Sequence, residues 1–154
     1  MNKEPKFKYQ KQIDELLAKG CQLPELFAPN NMHACRFAFS EDGHQNHVPQ
    51  YMSNPKRMLQ DINKNKANTS LLALSCFTTS EKAETFYTNL RKAFKNISTS
   101  IGDSLSEGKL TNEDGLKTST GNNGHFDFYE YETCDLSKTF LITKYLIETE
   151  DEKD

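Results

Sequence analysis

Histidines, cysteines, one well-placed arginine and a pair of glutamates are the side chains of this 154-residue sequence with types suited to chemistry. His44-x-x-His47, together with His33 and Cys35, invites a metal reading, because imidazole nitrogen and thiolate sulfur are zinc ligands. Structural zinc takes four such ligands at closed geometry. No second compact pair completes the set, and His125 and Cys134 lie far along the chain. No metal site is expected, and His44 and His47 read as polar loop residues around Asp42-Gly43. A cysteine nucleophile needs a partly exposed setting that favours the thiolate. Cys76 sits inside the most apolar run, and Cys35 has His33 two residues away on the same strand face, so both read as structural thiols. The glycines from Gly102 to Gly124 match no phosphate-binding spacing and read as turn formers.

Three separated segments combine more productively. Arg36 falls on an early strand between Ala34 and Ala38, which leaves room around its guanidinium. Ser75-Cys76-Phe77-Thr78-Thr79-Ser80 ends an apolar run, and Glu130-Tyr131-Glu132 closes an aromatic stretch. Arginine's planar fork suits a pyrophosphate, and a fixed carboxylate suits a centre where positive charge develops. The layout resembles the Arg, Ser-Thr-Ser, Glu-x-Glu pattern of the ADP-ribosyltransferase fold. The resemblance implies NAD held in a cleft between two small sheets, with Arg36, Glu132 and Glu130 as the catalytic residues. Arg36 would contact phosphate or ribose, and Ser75 and Thr78 would shape the nicotinamide pocket. Glu132 would hold a ribose hydroxyl and stabilise the oxocarbenium-like centre as nicotinamide leaves. Tyr129 and Tyr131, with Phe126 and Phe128, would offer rings for stacking. The function implied is a small NAD-using transferase, a bacterial toxin or defence effector.

A non-catalytic reading stands beside it: an interaction module such as an immunity, antitoxin or adaptor protein. Its partner surface would be the aromatic stretch 126–131 beside His125, since exposed aromatics are enriched at protein-binding hot spots. The same alternation also describes plain core, with Phe126 and Phe128 inward and Asp127 outward. Lys56, Arg57, Lys64 and Lys66 form a basic segment, either a solvated helix or a weak contact for nucleic acid phosphates.

The elements that must position these residues follow from periodicity. Ile13, Leu16 and Leu17 predict a helix over 8–19, stopped by Gly20. Residues 32–39 alternate as a strand, with His33, Cys35, Phe37 and Phe39 on one face. Residues 40–55 form a long irregular loop, and Asn54-Pro55 opens a short helix over 56–63. The apolar run 71–77 reads as a central strand feeding an N-cap at Thr78-Thr79-Ser80. Ala83, Phe86, Tyr87, Leu90 and Ala93 then give the clearest helix, over 81–94. Ile97, Ile101 and Leu105 extend a short helical segment, and the glycines after it make a loop with one weak hairpin. Strands over 125–132 and 139–147 close the chain. This order does not alternate like a doubly wound fold. It predicts an α+β domain with a central, mostly antiparallel or mixed sheet and three to four helices.

Composition sets the bounds. A chain of this length fits one domain, placed at 1–147, with 148–154 as an acidic, disordered tail. Ten phenylalanines and six tyrosines compensate for the absence of tryptophan and a mean hydropathy of -0.78. The net charge of -3 comes from that tail, whose seven residues hold five acids and one lysine. The rest is near neutral, which weakens the case for duplex DNA. No apolar stretch approaches the ~20 residues that span a bilayer, and no signal peptide is visible. The four cysteines show no paired spacing, so a cytoplasmic protein with reduced thiols is expected.

Overall fold

The spacing of Ile13 and Leu16 is realised in α1 (Gln10–Ala18), where both side chains are buried. Gly20 ends that segment with φ +98°, a left-handed value that costs glycine little. The computed structural model describes residues 5–41, 46–49, 52 and 69–147. The helix expected over 56–63, the basic residues Lys56, Arg57, Lys64 and Lys66, His44 and the acidic tail all lie outside them.

β1 (Met32–Ala38) follows, and then a turn of 3-10 helix at Thr69–Leu72 leads into β2 (Leu74–Phe77). The strand predicted over 71–77 is therefore shorter than its apolar run. Thr79 caps the next helix, α2 (Ser80–Ala93), its hydroxyl accepting from the Lys82 amide at 3.2 Å. The one-turn helix α3 (Ile97–Ser100) precedes β3 (Ser104–Leu110), β4 (Gly115–Lys117) and β5 (His125–Glu130). A second 3-10 turn, Leu136–Lys138, leads to the edge strand β6 (Leu141–Tyr145), all five residues of which are exposed. The strands form one sheet in the order β4-β5-β2-β1-β3-β6. Every pairing is antiparallel. The α+β architecture in one compact domain is as expected, and the described residues contain three α-helices. None of those helices is long and apolar enough to cross a membrane.

β3 corrects the sequence reading, which placed Leu105 in a helix and a loop from Gly108 onward. It is a seven-residue strand paired with β1 along its whole length. Two things hid it: its core face carries the small polar residues Ser104 and Ser106, both buried, and Gly108 interrupts the pattern. The glycine has a packing reason, because a Cβ there would lie 2.6 Å from the ring of Phe140.

Strand alternation divides the core. One sheet face carries Ala34, Leu74, Cys76, Phe126 and Phe128, covered by Cys134, Leu136 and Phe140 from the β5–β6 connection. The other face sets Cys35, Phe77 and Leu105 against Ala83 and Phe86 of α2. Tyr129, on that second face, packs with Ile13 and Leu16 of α1. These layers leave β1 and β2 side by side at the centre of the sheet, where the candidate site lies.

Candidate functional site

β1 and β2 register at Cys35 and Phe77, whereas β1 pairs with β3 at seven successive positions. Past that single pair the sheet forks, and Arg36 fills the fork. Its Nη1 donates to the carbonyl oxygen of Ser75 at 2.6 Å, taking the place of a ladder partner. Nε donates to Nδ1 of His47 at 3.1 Å and Nη2 to the carbonyl of Asn46 at 3.4 Å. Asn46 is clamped in turn to the backbone of Phe39, accepting from its amide at 2.7 Å and donating to its carbonyl at 3.1 Å. The loop end that carries His47 is thus pinned to the strand that carries Arg36.

Arg36 is 7% exposed, and among the described residues its hydrogen-bond partners are all uncharged. Burial lowers the His47 ring to about 4, with the neighbouring guanidinium adding to the effect. The neutral ring accepts at Nδ1 and so carries its hydrogen on Nε2. A cavity of about 610 Å³ opens on the fork, with Arg36, Ser75, Asp127, Phe37, Phe39 and Phe86 among its walls. Ser75 and Asp127 are paired across β2 and β5, which brings a hydroxyl and a carboxylate to the same wall. The Ser75 hydroxyl meets Nε2 of His125 at 2.6 Å, and Asp127 Oδ1 lies 3.7 Å from the same nitrogen. A hydrolytic triad needs the carboxylate on the other ring nitrogen, so these three residues form a polar cluster and not a relay. Burial raises the Asp127 carboxyl, against a lowering by His125.

The structure brings together two of the residues singled out from sequence, Arg36 and Ser75, and leaves the others off this cavity. Glu130 does not line this cavity: it is 3% exposed on the sheet face of Phe126 and Phe128, where its Oε2 accepts from Lys8 Nζ at 2.8 Å and its carboxyl interacts electrostatically with Arg36. Its Oε1 is buried with no hydrogen-bond partner among the described residues, and burial raises its carboxyl, with Lys8 and then Arg36 among the groups opposing. Glu132 is exposed in the turn beyond β5, where its amide donates to the Lys6 carbonyl at 2.9 Å. Thr78 uses its amide on Gly124 and its carbonyl on His33 Nδ1. Tyr129 is buried with its hydroxyl 3.2 Å from that of Thr69, and Tyr131 stacks on Phe7. Phe126 and Phe128 are buried too, so most of the aromatic stretch 126–131 is core and not an exposed surface.

Sequence reasoning missed Asp127 and Asn46. Alternation does put Asp127 on the face away from Phe126, but only the forked sheet turns that face toward a cavity. Neither Cys35 nor Cys76 is a nucleophile: burial pushes the Cys35 thiol up to about 12 and Cys76 to about 11, far from a nucleophile's range. All four are free thiols, Cys35, Cys76 and Cys134 buried and Cys21 half-buried. No protein-family model, curated protein or solved structure matches this chain.

Proposed function

We propose that this protein binds a small anionic ligand of the nucleotide type in the cavity at the β1–β2 fork, with NAD as the candidate drawn from the ADP-ribosyltransferase resemblance. The observation that carries this reading is Arg36, a buried guanidinium with uncharged partners lining a ligand-sized cavity. A buried charge is costly unless compensated; Glu130 interacts with Arg36 but is itself paired with Lys8, and an anionic ligand would add compensation on the cavity side. Small-molecule sites commonly have volumes of about 300–1,000 Å³ and a few convergent polar groups on apolar walls. The fork cavity, with three phenylalanines, three serine hydroxyls and one carboxylate among its described walls, matches that description.

The residues present fit a dinucleotide in part. Arg36 suits its phosphates and the phenylalanines suit a flat ring. The carboxylate on the wall is Asp127, whereas the resemblance named Glu132, so in this reading Asp127 takes the part of facing the ribose. NAD would supply the ADP-ribosyl group, and a role as a toxin or defence effector rests on the same reading.

Calorimetry with NAD, ADP-ribose and AMP tests it, alongside a nicotinamide-release assay with cell lysate as target source. Binding of at least one of the three, lost in Arg36→Gln and weakened in Asp127→Asn, supports the site. Absence of binding by all three at millimolar concentration, from protein folded by circular dichroism, would remove the reading.

A further inference from the structure

On the sheet face covered by α2, away from the fork cavity, three potential ligand atoms converge. His33 and Cys35 stand two apart on β1, and Glu107 on β3 is the register partner of Cys35. Nε2 of His33 lies 2.8 Å from Glu107 Oε1, Cys35 Sγ lies 3.7 Å from that oxygen, and Sγ lies 4.0 Å from Nε2. We propose that His33, Cys35 and Glu107 form a binding site for a divalent transition metal ion of the zinc type, with a fourth position open to solvent.

The spacing suits the ion. Zinc bonds of about 2.3 Å to sulfur and about 2.0–2.2 Å to nitrogen and oxygen, at tetrahedral angles, hold such atoms about 3.3–3.6 Å apart. Each pair here needs to shift by about half an ångström or less to reach that range. A nitrogen, sulfur and oxygen set excludes the all-oxygen preference of magnesium and calcium.

The surroundings orient two of the ligands. Nδ1 of His33 lies 3.2 Å from the carbonyl of Thr78, an acceptor, so that nitrogen carries hydrogen and Nε2 directs its lone pair at the cluster. Glu107 is held from its far side, where the Thr143 hydroxyl donates to Oε2 and leaves Oε1 facing His33 and Cys35. Nε2 of His33 and Oε1 of Glu107 thus face each other across 2.8 Å with Cys35 Sγ beside both, so one cation placed among them would be met by all three atoms. On binding, the Cys35 S–H proton leaves to solvent as the metal–sulfur bond forms, and any second ring proton leaves with it. The His33 side chain is 51% exposed, which gives the ion an entry path and its open position. None of the three residues lines the fork cavity, so the inference stands apart from the proposed nucleotide site.

The test uses the untagged full chain, reduced and stripped with chelator, titrated with Zn²⁺ by calorimetry and with Co²⁺ by absorption. Binding of one ion is expected, with a thiolate-to-cobalt charge-transfer band in the near ultraviolet and tetrahedral ligand-field bands in the visible. His33→Ala and Glu107→Gln should each weaken binding at least tenfold, and Thr143→Ala, which only orients Glu107, by about tenfold. Cys35→Ser should abolish the near-ultraviolet band. His33 is half exposed, so its variant remains informative even if the Cys35 variant fails to fold. Absence of stoichiometric binding overturns the proposal and leaves a His33–Glu107 ion pair. Binding unchanged in both His33→Ala and Glu107→Gln places the ion elsewhere and overturns it equally.

Discussion

The guanidinium of Arg36 and the backbone carbonyl of Ser75 meet at 2.6 Å, beside the point where their two strands part. One side chain thus closes a gap in the sheet and places a buried cation on a cavity wall. Structure and binding are coupled at this residue. Arg36→Met should leave the Ser75 carbonyl and His47 Nδ1 without donors, at a cost of about 1–3 kcal/mol for each buried group left unpaired. Urea denaturation reads the loss. Unchanged or increased stability would mean that the charge is kept for a ligand and contributes nothing to the sheet.

His47 makes this region sensitive to acid. Its ring titrates at about 4 in the folded protein because of burial and then Arg36, against about 6.5 in an unfolded chain. As pH falls from 6.5 toward 4, the unfolded chain takes up a proton that the folded protein refuses, so stability is lost across that window. It is retained in full above the unfolded value. The loss should approach about 3 kcal/mol by pH 4. Denaturation midpoints at half-unit intervals should show it, and His47→Gln should flatten this part of the profile.

Asp127 and Glu132 separate the carboxylate seen on the cavity from the one chosen by resemblance. Asp127→Asn should weaken nucleotide binding at least tenfold, whereas Glu132→Gln should leave it unchanged. Because Glu132 is exposed, its substitution should alter stability by no more than about 0.5 kcal/mol. Loss of binding in Glu132→Gln with Asp127→Asn unaffected would return the role to Glu132.

Gly108 and Phe140 form a packing pair across the sheet face. Gly108→Ala forces a methyl into the space of the Phe140 ring, 2.6 Å from its nearest atom, and should cost about 1–3 kcal/mol. Phe140→Leu should relieve part of that strain. The double variant should therefore lose less than the two single variants combined, by at least about 0.5 kcal/mol in a thermal denaturation cycle.

Local signals were enough for α1, β1, α2 and its threonine cap, because each repeats an apolar spacing or uses a capping chemistry that acts within a few residues. Arg36 between two alanines was also legible, since alternation alone puts all three on one face. β3 was not. Buried serines and a glycine occupy its core face, and they are suitable there only because β1 and the Phe140 ring lie against them. The site divides in the same way. Residue types marked Arg36 and Ser75, but the cavity exists because β1 and β2 stop pairing after Cys35 and Phe77, a relationship between strands about forty residues apart. The same long-range register turned Asp127 toward the cavity, left Glu132 outside, and set Glu107 beside His33 and Cys35. Side-chain chemistry and local periodicity belong to the sequence. Which of those groups meet is decided by strand register, and register is set only once the whole sheet has paired.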